Sequence, residues 1–191
     1  MKKERRIIVY IATSADGYIA RKDGSVDWLN YKRTAGDYGM GAFYRAIDTI
    51  LWGRKTCGVA LEFEKEGRSK SAFDTNVRNY VFSRKLRRDP PPGVEFVHEP
   101  IATFAKRLRS EPGKDIWIMG GAGLIASFLD AGEIDEFIIH VVPSFIGEGI
   151  PLVQPKPRNV RLLLKSVKRF KDGVLRLRYE VPRPKARKSR R

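Results

Sequence analysis

The middle of the chain alternates short runs rich in β-branched and aromatic residues with segments of helical periodicity. Runs of the first kind favour strands, and apolar residues spaced three or four apart favour helices. The alternation is typical of a mostly parallel sheet whose strands are joined by helical crossovers. We predict helices near residues 37–46, 54–62, 100–109 and 122–131. We predict strands near residues 5–13, 48–53, 79–83, 94–98, 115–119, 135–143, 160–170 and 174–181.

The end of the chain follows a different pattern. Two runs of alternating apolar and polar residues, 160–170 and 174–181, flank Asp172 and Gly173. Asp-Gly between two such runs indicates a tight turn that joins antiparallel strands. The predicted fold class is therefore α/β, with a mixed, mostly parallel central sheet flanked by helices and a C-terminal antiparallel hairpin.

Length and composition indicate one globular unit. A chain of 191 residues with 42% hydrophobic residues can bury a core of its own. We predict a single domain over residues 1–181 and a basic tail over residues 182–191. No uncharged apolar run reaches the roughly 18 residues of a membrane span, so we expect a cytoplasmic protein without a membrane partner. The single Cys57 excludes an internal disulfide and a cysteine-rich metal site, and no metal is expected.

The charge is strongly unbalanced, at a formal +16. Part of the excess lies in the tail, where residues 182–191 hold six Lys and Arg residues and no acidic residue. Such a field favours anionic partners, whether phosphorylated metabolites, dinucleotides or nucleic acid. The tail is either a solubilising extension or a segment that contacts nucleic acid weakly and without sequence specificity.

A glycine-rich turn follows one predicted strand, in the stretch IWIMGGAGLIASFL. Gly121, Gly123 and Ala126 fit the dinucleotide fingerprint G-x-G-x-x-G/A, and the free N–H groups of the helix that follows would attract a phosphate. A Rossmann domain carries this turn after its first strand. Here it follows about five strands, which favours another fold or a turn that only packs a helix onto the sheet.

Two other predicted strands end in groups that bind anions. The stretch DTILWGRKT ends a strand at Gly53 and opens a helix with RKT, and YVFSRK ends a strand at Ser83 and Arg84. Cations oppose the helix dipole at an N-terminus, and a bound phosphate would reverse that penalty. If these strands are parallel neighbours, their ends share one sheet edge and suit an extended ligand such as NADP. The alternative for each motif is solvated surface.

The order of these stretches resembles the dihydrofolate-reductase-like superfamily. The similarity covers most of residues 6–181 and is carried by SADGYIA, DTILWGRKT, YVFSRK, IWIMGGAGLIASFL and DEFIIHVVPSFIGEG. It is greatest for the reductase domain of the bifunctional riboflavin-biosynthesis deaminase-reductase and its stand-alone relatives. It implies NADPH as the cofactor and, together with the long hairpin, a homodimer. The implied cofactor contacts are Ala12, Gly17, Ile19, Gly53, Arg54, Lys55, Thr56, Ser83, Arg84, Gly120, Gly121, Ala122, Gly123 and Leu124.

The resemblance also implies a reaction, hydride transfer to a C=N or C=O group of a small, in some members phosphorylated, heterocycle. The activity would be most like that of 5-amino-6-(5-phosphoribosylamino)uracil reductase of riboflavin biosynthesis. Dihydrofolate reductase activity is an alternative, because Asp37 precedes Gly53 by 16 positions, as the acid of folate reductases does. Asp37 is the candidate catalytic residue, as proton source or orienting carboxylate, or else it only stabilises a helix N-terminus. His98 and His140 are predicted to be structural, and a basic nucleic-acid-binding protein is the alternative of another class.

Overall fold

A computed structural model of the protein describes residues 4–29, 36–67, 69–83 and 90–183. Arg84 and residues 184–191 of the predicted tail lie outside these ranges. The helices are α1 (Met40–Arg45), α2 (Arg54–Lys65), α3 (Ile101–Ser110) and α4 (Ala122–Asp130). The strands are β1 (Ile7–Thr13), β2 (Tyr18–Ala20), β3 (Ile47–Gly53), β4 (Arg78–Phe82), β5 (Val94–Val97), β6 (Asp115–Gly120), β7 (Glu136–Val141), β8 (Ile150–Pro151), β9 (Leu163–Arg169) and β10 (Leu175–Glu180). Within the described ranges, every helix is too short or too polar to cross a membrane.

Eight of these strands form one sheet in the order β5-β4-β3-β6-β1-β7-β10-β9. The first six are parallel to their neighbours, whereas β10 runs antiparallel to both β7 and β9. The predicted mixed, mostly parallel sheet and its C-terminal hairpin are therefore confirmed. Strands β2 and β8 form a separate antiparallel pair. Strand β8 was not predicted, because a two-residue strand carries no periodicity.

Helices cover both faces of the sheet, and strand β1 has its side chains buried on each. Ile7 and Val9 point into a cluster with the apolar residues of α3 and α4. Ile8 and Tyr10 point to the other face, where they pack with Phe43 of α1 and Cys57 of α2. A strand buried on both faces reads as a continuous apolar run, as IIVYIA does. Tyr10 and Phe43 stack with ring centroids 4.3 Å apart.

The C-terminal hairpin leaves apolar surface uncovered at the edge of the sheet. Every residue of β9 is exposed, and Leu164 and Val167 are each 55% exposed. Leu163 of β9 and Leu175 of β10 are exposed as well. An edge strand with exposed apolar residues is able to pair with a second chain.

Ordered contacts continue past the end of β10. The N–H of Val181 donates to the Asp135 carbonyl over 2.9 Å. The guanidinium of Arg183 donates to Asp135 over 2.7 Å and pairs with Glu4 over 3.2 Å. The first cation of the predicted tail thus belongs to the folded unit, and the division of the chain at residue 181 stays a prediction.

Two phenylalanines make a matched test of this core. Phe128 is fully buried between α4 and the sheet, whereas Phe145 is 80% exposed. We expect Phe128→Ala to lower the free energy of unfolding by about 3–5 kcal/mol, because it leaves a cavity. Phe145→Ala should change it by less than about 0.5 kcal/mol. Urea unfolding of both variants checks this, and equal effects would contradict the described packing.

Candidate active site

The three strand ends that the sequence singled out are neighbours in the sheet. Strand β3 lies between β4 and β6 and is parallel to both. Gly53 pairs with Phe82 across β4, so Ser83 follows directly beside it. The motifs therefore share the carboxyl edge, where open α/β sheets bind ligands.

At this edge the backbones of β3 and β6 come into close contact. A Cβ atom added at Gly53 would lie 3.1 Å from the Gly121 nitrogen and 3.2 Å from the Gly120 oxygen. A Cβ atom at Gly121 would lie 3.2 Å from the Thr56 hydroxyl. Gly120 has φ of 127°, a value that side chains disfavour. The glycines thus let the two strand ends meet with a surface made of backbone.

Two helix N-termini open beside this contact. Helix α2 begins after Gly53 and α4 after Gly121, and neither glycine can supply a side-chain cap. The first turns contain no acidic residue, and Arg54 and Lys55 are exposed. Uncapped N–H groups, the helix dipoles and these cations all favour a bound anion.

The remaining residues of this edge differ in exposure. Ser83 is buried, and its carbonyl lies 2.7 Å from Nδ1 of His98. Ala122 and Leu124 are buried at the start of α4, whereas Gly123 is exposed. The accessible part of this edge is therefore made by Gly53, Gly121, Gly123 and the first turn of α2.

The SADGYIA segment forms a loop that is held mainly by Asp16. The Asp16 carboxylate accepts the Ser14 hydroxyl over 2.5 Å and the N–H groups of Ile146 and Gly147 over 3.1 and 2.8 Å. These hydrogen bonds lower the pKa of Asp16, with the largest effect from Ser14. The loop is thereby fixed to the segment that follows β7, and Ala12 lies half-buried at the end of β1 beside it.

Residues 150–154 connect this loop to the glycine turn. The Leu152 N–H donates to the Gly17 carbonyl over 3.0 Å, and the Gln154 N–H donates to the Ala122 carbonyl over 3.3 Å. A Cβ atom at Gly123 would lie 3.1 Å from the Gln154 side chain. Gln154 was not predicted to belong to the site, since the segment has neither a motif nor periodicity. Ile19 in β2 is half-buried opposite this segment.

Asp37 lies apart from this edge, at the start of α1. Its carboxylate accepts the N–H groups of Gly39 and Gly41 over 2.8 and 2.9 Å. These two hydrogen bonds, that from Gly39 first, lower the pKa of Asp37. The side chain is exposed and ionised at neutral pH, a state that suits an orienting carboxylate better than a proton donor.

Tyr38, the residue after Asp37, contacts a polar cluster of His140 and Tyr10 that the sequence did not predict. Tyr38 has φ of 54°, and its ring packs edge-on against Phe170 at 5.0 Å. Its carbonyl oxygen lies 3.3 Å from Nε2 of His140 and 3.4 Å from the Tyr10 hydroxyl. Burial lowers the pKa of His140 to about 4 and raises that of Tyr10 to about 12, so both are neutral at pH near 7.

Fold and edge together define a protein with the dihydrofolate reductase fold. The dihydrofolate reductase of Enterococcus faecalis, in a structure that contains NADP(H), superposes with a TM-score of 0.59 at 15% identity. The alignment covers 92% of this chain and 96% of that one. A protein from Shewanella sp. PV-4 assigned to riboflavin biosynthesis superposes with a TM-score of 0.81 at 26% identity, over 93% of this chain and 99% of its own.

The family follows from the sequence match. The model of the RibD C-terminal domain matches residues 5–176, and the chain belongs to this family. A curated relative, the uncharacterized protein YwjB of Bacillus subtilis (strain 168), is 38% identical over 172 residues, which cover 90% of this chain and 95% of YwjB. The resemblance to riboflavin-type reductase domains is therefore confirmed.

Alanine substitutions at two nearby glycines, Gly53 and Gly58, test the close contact between the ends of β3 and β6. Gly53→Ala places a methyl group 3.1–3.2 Å from backbone atoms of the glycine turn, which must shift by a few tenths of an ångström to admit it. We expect the substitution to lower the free energy of unfolding by about 1–3 kcal/mol. Gly58 lies inside α2 with no atom within 4 Å of an added Cβ. Gly58→Ala should therefore raise stability by about 0.5–1 kcal/mol. Thermal and urea unfolding measure both, and a stabilising Gly53→Ala would refute the contact.

The buried His140 predicts a pH dependence of stability. Its pKa is about 4 in the folded protein and 6.5 as a free side chain, so the unfolded chain binds a proton first as the pH falls. Stability present above pH 6.5 is lost as the pH falls towards 4, by about 3 kcal/mol in total. His140→Gln should remove this part of the loss between about pH 7 and about pH 4.5.

A substitution of an uncharged residue on the same strand provides the control. Ile138 is buried on the same face of β7, and Ile138→Val should cost about 1 kcal/mol at either pH. Urea unfolding of the wild type and both variants at the two pH values gives the comparison. A His140→Gln variant with the full wild-type pH dependence would count against a buried, neutral imidazole.

Proposed function

We propose that this protein is an NADPH-dependent reductase of a small heterocyclic substrate. The observation that carries the proposal is the backbone contact of Gly53 with Gly121 beside the uncapped starts of α2 and α4. A side chain at Gly53 would meet the backbone of the glycine turn, and one at Gly121 would meet the Thr56 hydroxyl. The glycines thus keep the two helix starts close together, and the flanking groups are donors and cations. Membership of the RibD C-terminal domain family supports the same assignment.

Each part of the edge then has a role in holding the cofactor. The first turn of α2, with Arg54, Lys55 and Thr56, would bind phosphates, and the glycine turn before α4 would bind the pyrophosphate through N–H groups. Ser83, with Arg84 beyond the described residues, would contact the 2′-phosphate side. Ala12 and the loop that contains Gly17 and Ile19 would border the nicotinamide. Bound NADPH would supply a hydride.

The substrate would lie on the α1 face of β1, next to Ala12. We propose a phosphoribosylaminopyrimidine, so that the activity is that of a 5-amino-6-(5-phosphoribosylamino)uracil reductase. The loop fixed by Asp16 would align the substrate ring and exclude water. Asp37 is proposed to orient the substrate, or a water molecule that delivers the proton. Dihydrofolate reduction is the second candidate, which the carboxylate of Asp37 at the start of α1 favours.

The proposal extends to the oligomeric state of the protein, the role of its tail and its cellular location. The exposed apolar residues of β9 and β10 would be covered by the same surface of a second copy, which gives a homodimer. The tail, most of which lies outside the described residues, would add a weak, nonspecific contact with nucleic acid. A cytoplasmic location fits a consumer of NADPH.

Two variants, each lacking one cation at an opposite end of α2, test the cofactor assignment. We propose that Arg54 also contacts the 2′-phosphate, which NADH lacks. We therefore expect Arg54→Gln to reduce the preference for NADPH over NADH by about 10-fold or more, because a charged hydrogen bond to that phosphate is lost. Lys65→Gln removes the same charge from the last turn of α2 and should leave the preference unchanged. Fluorescence titration with both cofactors measures the affinities.

The wild-type protein is then assayed for NADPH oxidation with 5-amino-6-(5-phosphoribosylamino)uracil and with dihydrofolate. Turnover of the first supports the riboflavin-type activity, and turnover of the second alone supports the other candidate. A wild-type protein that does not bind NADPH would overturn the proposed function as a whole.

A further inference from the structure

Three polar side chains converge on one oxygen on the α1 face of the sheet. The carbonyl oxygen of Tyr38 lies 3.3 Å from Nε2 of His140, 3.4 Å from the hydroxyl of Tyr10 and 3.5 Å from Nη1 of Arg176. All three distances are at the long end of the hydrogen-bond range. The Tyr10 hydroxyl also lies 3.4 Å from Nε2 of His140, which donates to the carbonyl only as the Nε2–H tautomer. The long hydrogen bond to this neutral carbonyl is thus the polar contact that Arg176 makes among the described residues.

Two buried donors near Tyr38 lack an acceptor among the described residues. Nε of Arg176 and Nε1 of Trp28 are buried and lack a hydrogen-bond partner among the described residues. The only other such atom in those ranges, Nε of Arg109, has the Glu133 carboxylate at 3.4 Å. Buried donors are rarely left unpaired, so Nε of Arg176 has a hydrogen bond to offer to a bound group.

A cavity of about 240 Å³, lined by Arg176 and Tyr10 among others, lies between α1 and strands β1, β7 and β10. Five charged side chains line it. Arg6 pairs with Asp115 over 2.7 Å and with Glu136 over 3.0 Å, and Arg178 pairs with Glu136 over 2.6 Å. Arg176 forms no ion pair within the described ranges. The lining thus carries one uncompensated positive charge, and it belongs to Arg176.

The sheet register relates this charge to the proposed site of hydride transfer. Ala12 pairs with His140 across β1 and β7, and His140 pairs with Arg176 across β7 and β10. The three residues therefore form one row on the same face of the sheet. Neighbouring strands lie about 4.8 Å apart, so Arg176 is about 10 Å along the sheet from Ala12, which is roughly the length of a substituted ring.

We propose that Arg176, together with Tyr10 and His140, binds an anionic oxygen of the substrate. This inference rests on the proposed function, because it requires a substrate whose reacting ring lies at Ala12. The anionic group of that substrate would point into the cavity. A phosphate ester and a carboxylate share this chemistry. A charged oxygen would give the guanidinium shorter and stronger hydrogen bonds than the carbonyl of Tyr38 does. Arg176 then selects anionic heterocycles over neutral ones.

The test compares binding to the full-length protein saturated with NADPH. The probes are 5-amino-6-(5-phosphoribosylamino)uracil, dihydrofolate and inorganic phosphate, titrated by calorimetry and by NMR of the Nε–H group of Arg176. The variants are Arg176→Gln, Arg176→Lys and the control Arg169→Gln. Arg169 lies on the exposed strand β9, so its loss removes the same charge without touching the cavity.

We expect Arg176→Gln to weaken binding of at least one anionic probe by about 10–100-fold, with partial rescue in Arg176→Lys and wild-type affinity in Arg169→Gln. The Nε–H signal should shift with that probe. A response to the phosphoribosyl compound identifies a phosphate ester, and a response to dihydrofolate alone identifies a carboxylate. NADPH affinity should be the same in all variants.

Two results would overturn the inference: wild-type affinity in Arg176→Gln, or no shift of the Nε–H signal with any of the three probes. Neither result affects the cofactor assignment, because NADPH affinity is measured separately. Conversely, a protein that fails to bind NADPH but binds a probe through Arg176 would refute the proposed function and leave an anion site.

Discussion

The contact between the ends of β3 and β6 is the constraint on which the rest of the molecule depends. Because Gly53 and Gly121 bring two backbones together without side chains, the helices that follow them start side by side. Their N-terminal N–H groups then face the same space, and the cations of α2 border it. A bulkier residue at either position would separate the strands and divide one long anion-binding edge into two short ones.

The sheet thus presents two regions of different character that meet at Ala12. Along the carboxyl edge the proposed cofactor contacts are backbone N–H groups, which recognise phosphates whatever is attached to them. On the α1 face the proposed substrate contacts are the side chains of Tyr10, His140 and Arg176, which can distinguish one substrate from another. Members of one family can therefore share the edge and differ on the face.

The sequence predicted the strands and the shared edge because glycine turns and apolar runs are local signals. It did not predict the role of Arg176, since alternating Leu and Arg in a terminal hairpin indicate an arginine face open to solvent. Only the packing of α1 against β10 encloses that face. Spacing alone found Asp37 but could not tell a helix cap from a catalytic acid. The contact of Gln154 with the start of α4 depends on the path of residues 150–154 past the glycine turn, and that path has no sequence pattern.

Asp16 fixes two loops that lie 130 positions apart in the chain, since one carboxylate accepts N–H groups from Ile146 and Gly147 and the hydroxyl of Ser14. The two loops therefore cannot evolve independently. An insertion in one would withdraw the acceptor from the other and leave its amides to water, which does not hold the loop in one position. A change in either loop is therefore constrained by the other through this one carboxylate.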